Sequence, residues 1–140
     1  MPDVAPLANE LRLAIHRLTR RLRQQHHTHD LTLTQLSALA IIWREGSITA
    51  GELAIREQVR PPSITRVVDG LESVGVVVRK NNPADGRQVL VEITDEGIRR
   101  MESYVKAREA WLAQQLAELS VKDRETLHRA AAIINDLAGR

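Results

Sequence analysis

The feature that most constrains the fold is a change of hydrophobic period at Gly75. Before this residue, apolar side chains recur at helical spacing, at Ile64, Val67, Val68, Leu71 and Val74. After it, two β-branched runs at residues 76–80 and 89–93 flank a polar segment with Asn-Pro and Asp-Gly turn signals. The pattern predicts one β-hairpin with a long polar tip in a chain that is otherwise mainly α.

Capping and proline signals mark the helices that precede the hairpin. A first amphipathic helix follows Pro6, and a second begins at the Thr/Gln capping pattern of residues 32–35 and stops at Gly46. The same pattern at residues 49–52 opens a short third helix. The segment 59–62 interrupts that helix, because its prolines cannot continue a helix but suit the first turn of the next one.

Two more helices follow the hairpin, a long one that begins after Thr94 and a final one that begins after Ser120. The order predicts a winged helix-turn-helix core within a single domain of 140 residues. We expect residues 31–97 to form a DNA-binding lobe. The helices of residues 1–30 and 98–140 carry further apolar faces, which a second copy of the chain would cover, so a two-fold homodimer is predicted.

In a helix-turn-helix, the second helix enters the major groove and its N-terminal residues reach base edges. Placing the apolar stripe inward leaves Ser63, Thr65, Arg66 and Asp69 facing outward. Arg66 suits a guanine, whose two acceptors match the guanidinium fork. An ordinary surface helix with an Arg66–Asp69 ion pair is the alternative interpretation.

The hairpin adds a second set of candidate DNA contacts. Arg87 follows Asp85 at the tip, and Arg79 and Lys80 lie at the foot. An arginine on such a wing can enter a narrow minor groove, where negative potential is concentrated. A solvated turn is the alternative, but helix and hairpin in this order favour binding of double-stranded DNA.

Residues 50–97 carry a more specific pattern. It comprises Glu52-Leu-Ala, the run from Pro62 to Glu72 (Pro-Ser-Ile-Thr-Arg-Val-Val-Asp-Gly-Leu-Glu), Gly75, and Asp85-Gly-Arg-Gln-Val-Leu-Val-Glu-Ile-Thr-Asp-Glu-Gly97. This stretch resembles the DNA-binding core of the MarR family of bacterial transcription regulators. The resemblance implies a triangular homodimer, joined through the first and the last two helices. It also implies a repressor that often binds near its own promoter and releases DNA on binding a small phenolic or lipophilic ligand.

On matching positions, the resemblance implies that Ser63, Thr65 and Arg66 contact the major groove, that Arg87 enters the minor groove, and that Asp85 braces the wing. The family often has basic residues where this chain has Gly70, Ser73 and Val74. Fewer cations on this helix predict a shallower salt dependence. Affinity would then depend more on Arg60, Arg79 and Lys80.

Histidine and tryptophan residues are the candidates for ligand or metal contacts. His16, Trp43 and Trp111 are predicted ligand contacts, with packed or exposed side chains as the alternative. The cluster His26, His27 and His29 suggests zinc, but the chain has no Cys and Asp30 lacks the spacing of a fixed site. We expect no metal and no cofactor.

Composition and motifs exclude several other classes. No Gly-rich phosphate loop, Ser-His-Asp arrangement or metalloprotease pattern occurs in the sequence, so an enzyme is not expected. The longest uncharged run, residues 31–43, is too short to span a bilayer, and the N-terminus lacks a secretory pattern, so a cytoplasmic protein is predicted.

The sequence therefore predicts a ligand-relieved homodimeric repressor of a near-palindromic operator, with half-sites about one helical turn apart. The alternatives are a winged-helix module that binds proteins, and a constitutive DNA-binding regulator without a ligand.

Overall fold

The computed structural model describes residues 3–25 and 31–139. In these ranges six helices and three strands occur, in the order α1 Val4–Arg23, α2 Leu33–Glu45, β1 Ser47–Thr49, α3 Ala50–Glu57, α4 Pro61–Ser73, β2 Val77–Asn81, β3 Val89–Ile93, α5 Asp95–Ala117 and α6 Val121–Ala138. The predicted mainly α fold with a small β-hairpin is confirmed.

The chain divides into two compact units, and α5 contributes to both. One unit, His26–Lys106, holds the helix-turn-helix and the sheet and is called the winged-helix unit. The other combines Met1–Gln25 with Ala107–Arg140 and is called the terminal-helix unit.

The helix starts of the winged-helix unit follow the predicted capping signals. The capping box before α2 is complete, since Gln35 N donates to Thr32 Oγ1 at 3.1 Å and Thr32 N donates to Gln35 Oε1 at 2.8 Å. Thr49 Oγ1 accepts from Glu52 N at 3.1 Å and caps α3. These bonds satisfy N–H groups that the first turn of a helix leaves without backbone partners.

The turn between α3 and α4 is short and geometrically defined. Gln58 adopts the left-handed conformation at φ 56°, which ends α3. Pro61 and Pro62 then occupy the first two positions of α4, as predicted. Because proline lacks an N–H, α4 begins with fewer unsatisfied donors, although Arg60 supplies no side-chain cap.

The sheet has one strand more than the sequence predicted. β3 lies in the centre, with β1 and β2 antiparallel on either side of it. The hairpin of β2 and β3 is confirmed, with β2 one residue later than expected. β1 pairs Ile48 with Val91 and spans only three residues, too few to show an alternating pattern.

Every apolar side chain that is buried in the described ranges lies in the winged-helix unit, between Leu31 and Tyr104. The N-terminus of α5 packs closely on this core. A Cβ at Gly97 would lie 2.3 Å from the Val76 carbonyl oxygen, so only glycine fits there. The predicted cap is confirmed, because Thr94 Oγ1 accepts from Gly97 N at 3.1 Å.

The terminal-helix unit has a different character. Helix α1 begins at Val4 with Asp3 as its cap, so the prediction that it starts after Pro6 is wrong. Pro6 lies in the first turn, where its missing N–H costs no hydrogen bond. Ser120 caps α6 as predicted. Neither α1 nor α6 has a buried residue.

In the described part of the chain, no helix combines the length and apolar character that a membrane crossing requires.

Candidate nucleic-acid interface

Helix α4 presents a polar face to solvent. Its apolar side chains Ile64, Val68 and Leu71 are buried, as their helical spacing predicted. On the opposite side, Ser63, Thr65 and Arg66 are exposed in the first two turns. The α3–turn–α4 arrangement thus displays the N-terminal half of α4, the part of a recognition helix that reaches base edges.

The polar side chains of this face differ in whether they already form hydrogen bonds within the protein. Thr65 Oγ1 donates to the Pro61 carbonyl at 3.1 Å and can still accept a hydrogen bond. Among the described residues, none forms an ion pair or hydrogen bond with the guanidinium of Arg66. The alternative Arg66–Asp69 pair is therefore wrong, because Asp69 binds Arg79 instead.

The loop between β2 and β3 is folded around Asp85. The Asp85 carboxylate accepts from Arg87 N at 3.0 Å, and the Asp85 carbonyl accepts from Gln88 N at 3.0 Å. Asn82 adds further bonds, since its side-chain oxygen accepts from Ala84 N and its amide donates to Gln88 Oε1, both at 3.0 Å. The Arg87 side chain extends into solvent from this ordered loop.

The two basic residues at the foot of the wing are held by carboxylates. Lys80 Nζ lies 2.5 Å from Glu92 Oε2. Arg79 Nη2 donates to Asp69 Oδ1 at 2.5 Å, and Arg79 Nη1 donates to Glu72 Oε1 at 3.0 Å. The sequence did not predict these ion-pair partners. A signal for the Arg79 pairs was present, since two carboxylates lie three residues apart on α4 and an arginine follows on the next strand.

Arg60 is exposed at the N-cap of α4.

Gly70, which stands where the family often has a basic residue, has a structural reason. A Cβ there would lie 2.3 Å from Gln35 Nε2, the side chain that completes the capping box of α2. Glycine in α4 therefore gives room to a residue that stabilises the neighbouring helix.

The predicted ligand contacts do not share a unit. Trp43 is half-buried against the core of the winged-helix unit. His16 is exposed on α1, and Trp111 is half-buried with Arg21 stacked over its ring at 5.5 Å, both in the terminal-helix unit.

The cluster His26, His27 and His29 lies outside the described residues. Within the described ranges, no group of three or more His, Cys, Asp or Glu side chains could hold a metal ion.

Fold and site together define a winged helix-turn-helix protein, and comparison with known proteins narrows this class. The MarR family model matches residues 31–89. An uncharacterised HTH-type transcriptional regulator from Mycobacterium bovis is 45% identical, with 93% of this chain and 91% of the relative covered. The HTH-type transcriptional repressor MdtR of Bacillus subtilis is 28% identical, with 99% and 90% covered.

The solved structure of a transcriptional regulator from Pseudomonas aeruginosa matches with a TM-score of 0.85 and 30% identity, covering 97% of this chain and 95% of that one. The chain therefore belongs to the MarR family. It is a DNA-binding transcription regulator of a family that consists of regulators and not of enzymes.

Proposed function

We propose that the protein is a homodimeric repressor that binds a near-palindromic operator in double-stranded DNA and releases it on binding a small phenolic or lipophilic ligand. In this proposal residues 31–97 contact DNA, and residues 1–30 and 98–140 dimerise. The observation that carries the DNA contact is the exposed N-terminal face of α4, where the guanidinium of Arg66 has no partner among the described residues.

The major-groove contacts are assigned to Ser63, Thr65 and Arg66, and Arg60 is placed beside a phosphate. A free guanidinium can donate two parallel hydrogen bonds to guanine O6 and N7 without first breaking an ion pair. Arg87 is assigned to the minor groove. The bonds of Asp85 support this, because they order the loop from which the Arg87 side chain extends.

The dimer is supported by the apolar surface of the terminal-helix unit. Large apolar side chains are exposed on α1 and α6, among them Leu7, Leu18, Val121, Ile133 and Leu137. Exposed apolar side chains repeated along helices without a fully buried residue are typical of an interface. A second copy offers the same helices in return, so a two-fold interface would cover both sets.

Repression is supported by MdtR, which aligns over most of both chains and is named a repressor. Ligand response is supported by the family resemblance. We assign ligand contacts to His16, Trp43 and Trp111; each keeps some solvent exposure, which a contact with a ligand requires.

The test is fluorescence anisotropy with the duplex upstream of the protein's own gene, titrated at several salt concentrations beside a scrambled duplex. A preference of about a thousandfold or more supports a specific regulator. Equal and weak binding to both duplexes contradicts it. A thermal-shift screen of phenolic compounds then separates a ligand-responsive repressor, which is stabilised, from a constitutive one, which is not.

Arg66 gives the sharpest single-residue test of this interface. Arg66→Ala is expected to cost about 1–3 kcal/mol of binding and to relax base preference at one position in each half-site. Arg87→Ala is expected to weaken binding more evenly across sequences and to flatten the salt dependence. Selection from a randomised duplex pool measures both effects. An unchanged base preference for the Arg66 variant would exclude its role in base recognition.

A further inference from the structure

Arg79 was expected from the sequence to contact DNA, yet its side chain is already bonded to helix α4. Its guanidinium donates to Asp69 and Glu72 and lies 3.5 Å from the Thr65 carbonyl oxygen. Its backbone N also donates to Glu72 Oε2 at 3.2 Å. We call this set of bonds the Arg79 clamp. The clamp joins strand β2 to helix α4.

The geometry of the clamp fixes both the orientation of β2 relative to α4 and the distance between them. Thr65, Asp69 and Glu72 are spaced four and three residues apart, so they form one stripe along α4. The planar fork of Arg79 meets two carboxylates of that stripe, and the backbone of β2 meets one of them again. Such a set of directional bonds resists rotation and sliding of the strand along the helix far better than one point charge would.

This placement also changes the charge that α4 presents. Asp69 and Glu72 are exposed carboxylates, with 61% and 44% of their side-chain surface accessible. Unpaired, they would repel the phosphates of a bound duplex. Arg79, only 29% accessible, places its charge against both of them and has few donors left for a phosphate.

We infer that Arg79 is a positioning residue, which holds the wing at a fixed place relative to the recognition helix so that Arg66 and Arg87 reach the two grooves together. This inference rests on the proposed DNA-binding function of α4 and the wing. It replaces the expected role of Arg79 as a phosphate ligand. An arginine that already donates to two carboxylates has fewer N–H donors, and less uncompensated charge, to offer a phosphate.

One test needs no DNA, because it measures the position of the wing directly. The chain lacks cysteine, so spin labels can be placed at Ser63→Cys on α4 and Gly86→Cys in the wing loop. Labelled protein is diluted in an excess of unlabelled protein, so that only distances within one chain are measured. Pulsed electron resonance is expected to show one narrow distance distribution, broadened at least twofold by Arg79→Gln. An unchanged distribution would overturn the inference.

The second test uses anisotropy with a duplex that the wild-type protein has enriched from a randomised pool. Arg79→Gln and Glu72→Gln are each expected to weaken binding about three- to tenfold, and the double variant no more than either alone, because both break one clamp. The sign for Glu72→Gln is decisive. Removing a carboxylate should strengthen DNA binding by charge alone, whereas loss of the clamp weakens it.

The salt dependence separates the two roles of Arg79. A phosphate ligand lost from each protomer lowers the slope of log affinity against log salt by about 0.9 for every contact. A positioning residue leaves that slope near its wild-type value. Arg99→Gln is the matched control, since Arg99 is an exposed arginine in an ion pair with Glu96 on α5, and it should leave affinity unchanged.

The outcomes keep the two proposals apart. If the wild-type protein enriches no duplex, the proposed function fails, and the distance measurement alone then decides the clamp. If the wild-type protein binds, stronger binding by Glu72→Gln together with a reduced slope for Arg79→Gln would make Arg79 a phosphate ligand. Thermal unfolding of each variant shows whether it is folded. If Arg79→Gln does not fold, Glu72→Gln replaces it as the variant that breaks the clamp.

Discussion

The winged-helix unit and the terminal-helix unit have similar proportions of apolar residues along their helices but use them differently. In the first, Leu39, Leu53, Leu71 and Val91 are completely buried within one chain. In the second, no residue of α1 or α6 is fully buried, and side chains such as Ile133 stay 61% exposed. The difference indicates that one unit is stabilised by its own core, whereas the other has apolar surface available for a partner.

The largest expected effect compares the same substitution in both units. Leu39→Ala should lower the free energy of unfolding by about 3 kcal/mol, because it leaves a cavity in a closed core. Leu127→Ala on α6, where the side chain is 46% exposed, should cost less than about 1 kcal/mol at low protein concentration. Guanidinium unfolding measures both. Equal losses would show that the terminal-helix unit has a core of its own.

A smaller effect is expected on self-association. Ile133→Asp replaces an exposed apolar side chain of α6 with a charge and should raise the dimer dissociation constant at least about tenfold, or about 1.4 kcal/mol. The matched control is Ile55→Asp on α3, since Ile55 is an equally apolar residue, 76% exposed, in the winged-helix unit. Analytical ultracentrifugation distinguishes them. If both variants dissociate alike, the interface does not lie on α6.

The smallest effect concerns pH and lies at the start of α5. Hydrogen bonds from Arg99 and Arg100 lower the pKa of Glu96 below its ordinary value of 4.5. Because the folded-state pKa is the lower one, this stabilisation is present above pH 4.5 and is lost as the pH falls through the folded-state value. The unfolding midpoints of the wild-type protein and Glu96→Gln should therefore converge in acid. A difference that persists at low pH would exclude this cause.

The fold was predictable where short-range interactions decide it. Capping boxes, the Pro61-Pro62 break and the Asp-Gly turn act over three or four residues, so they are visible in the sequence. The exposed face with Ser63, Thr65 and Arg66 followed from helical spacing. The three-residue strand β1 was missed, because it is too short to show a period and forms only by pairing with β3, more than forty residues further along the chain.

Within the candidate site, hydrophobic periodicity alone did not distinguish the roles of Arg66 and Arg79. Both are arginines near the recognition helix, and both were assigned to DNA. Their difference arises from geometry, since β2 brings Arg79 onto the stripe of Asp69 and Glu72, whereas neither carboxylate forms an ion pair with Arg66. Periodicity indicates which face of a helix is polar, but it does not show which carboxylate an arginine on a later strand will meet.

The sequence by itself determined the helices, the hairpin and the winged helix-turn-helix class of this protein, because caps, turns and hydrophobic period are local properties. Only the tertiary structure decided why Gly97 must be glycine, that Gly70 makes room for Gln35, and which of the described basic side chains form ion pairs. Those outcomes depend on close approach between residues far apart in the chain, here α4 against Gln35 and α5 against Val76. Packing between distant segments sets the distances on which such contacts depend.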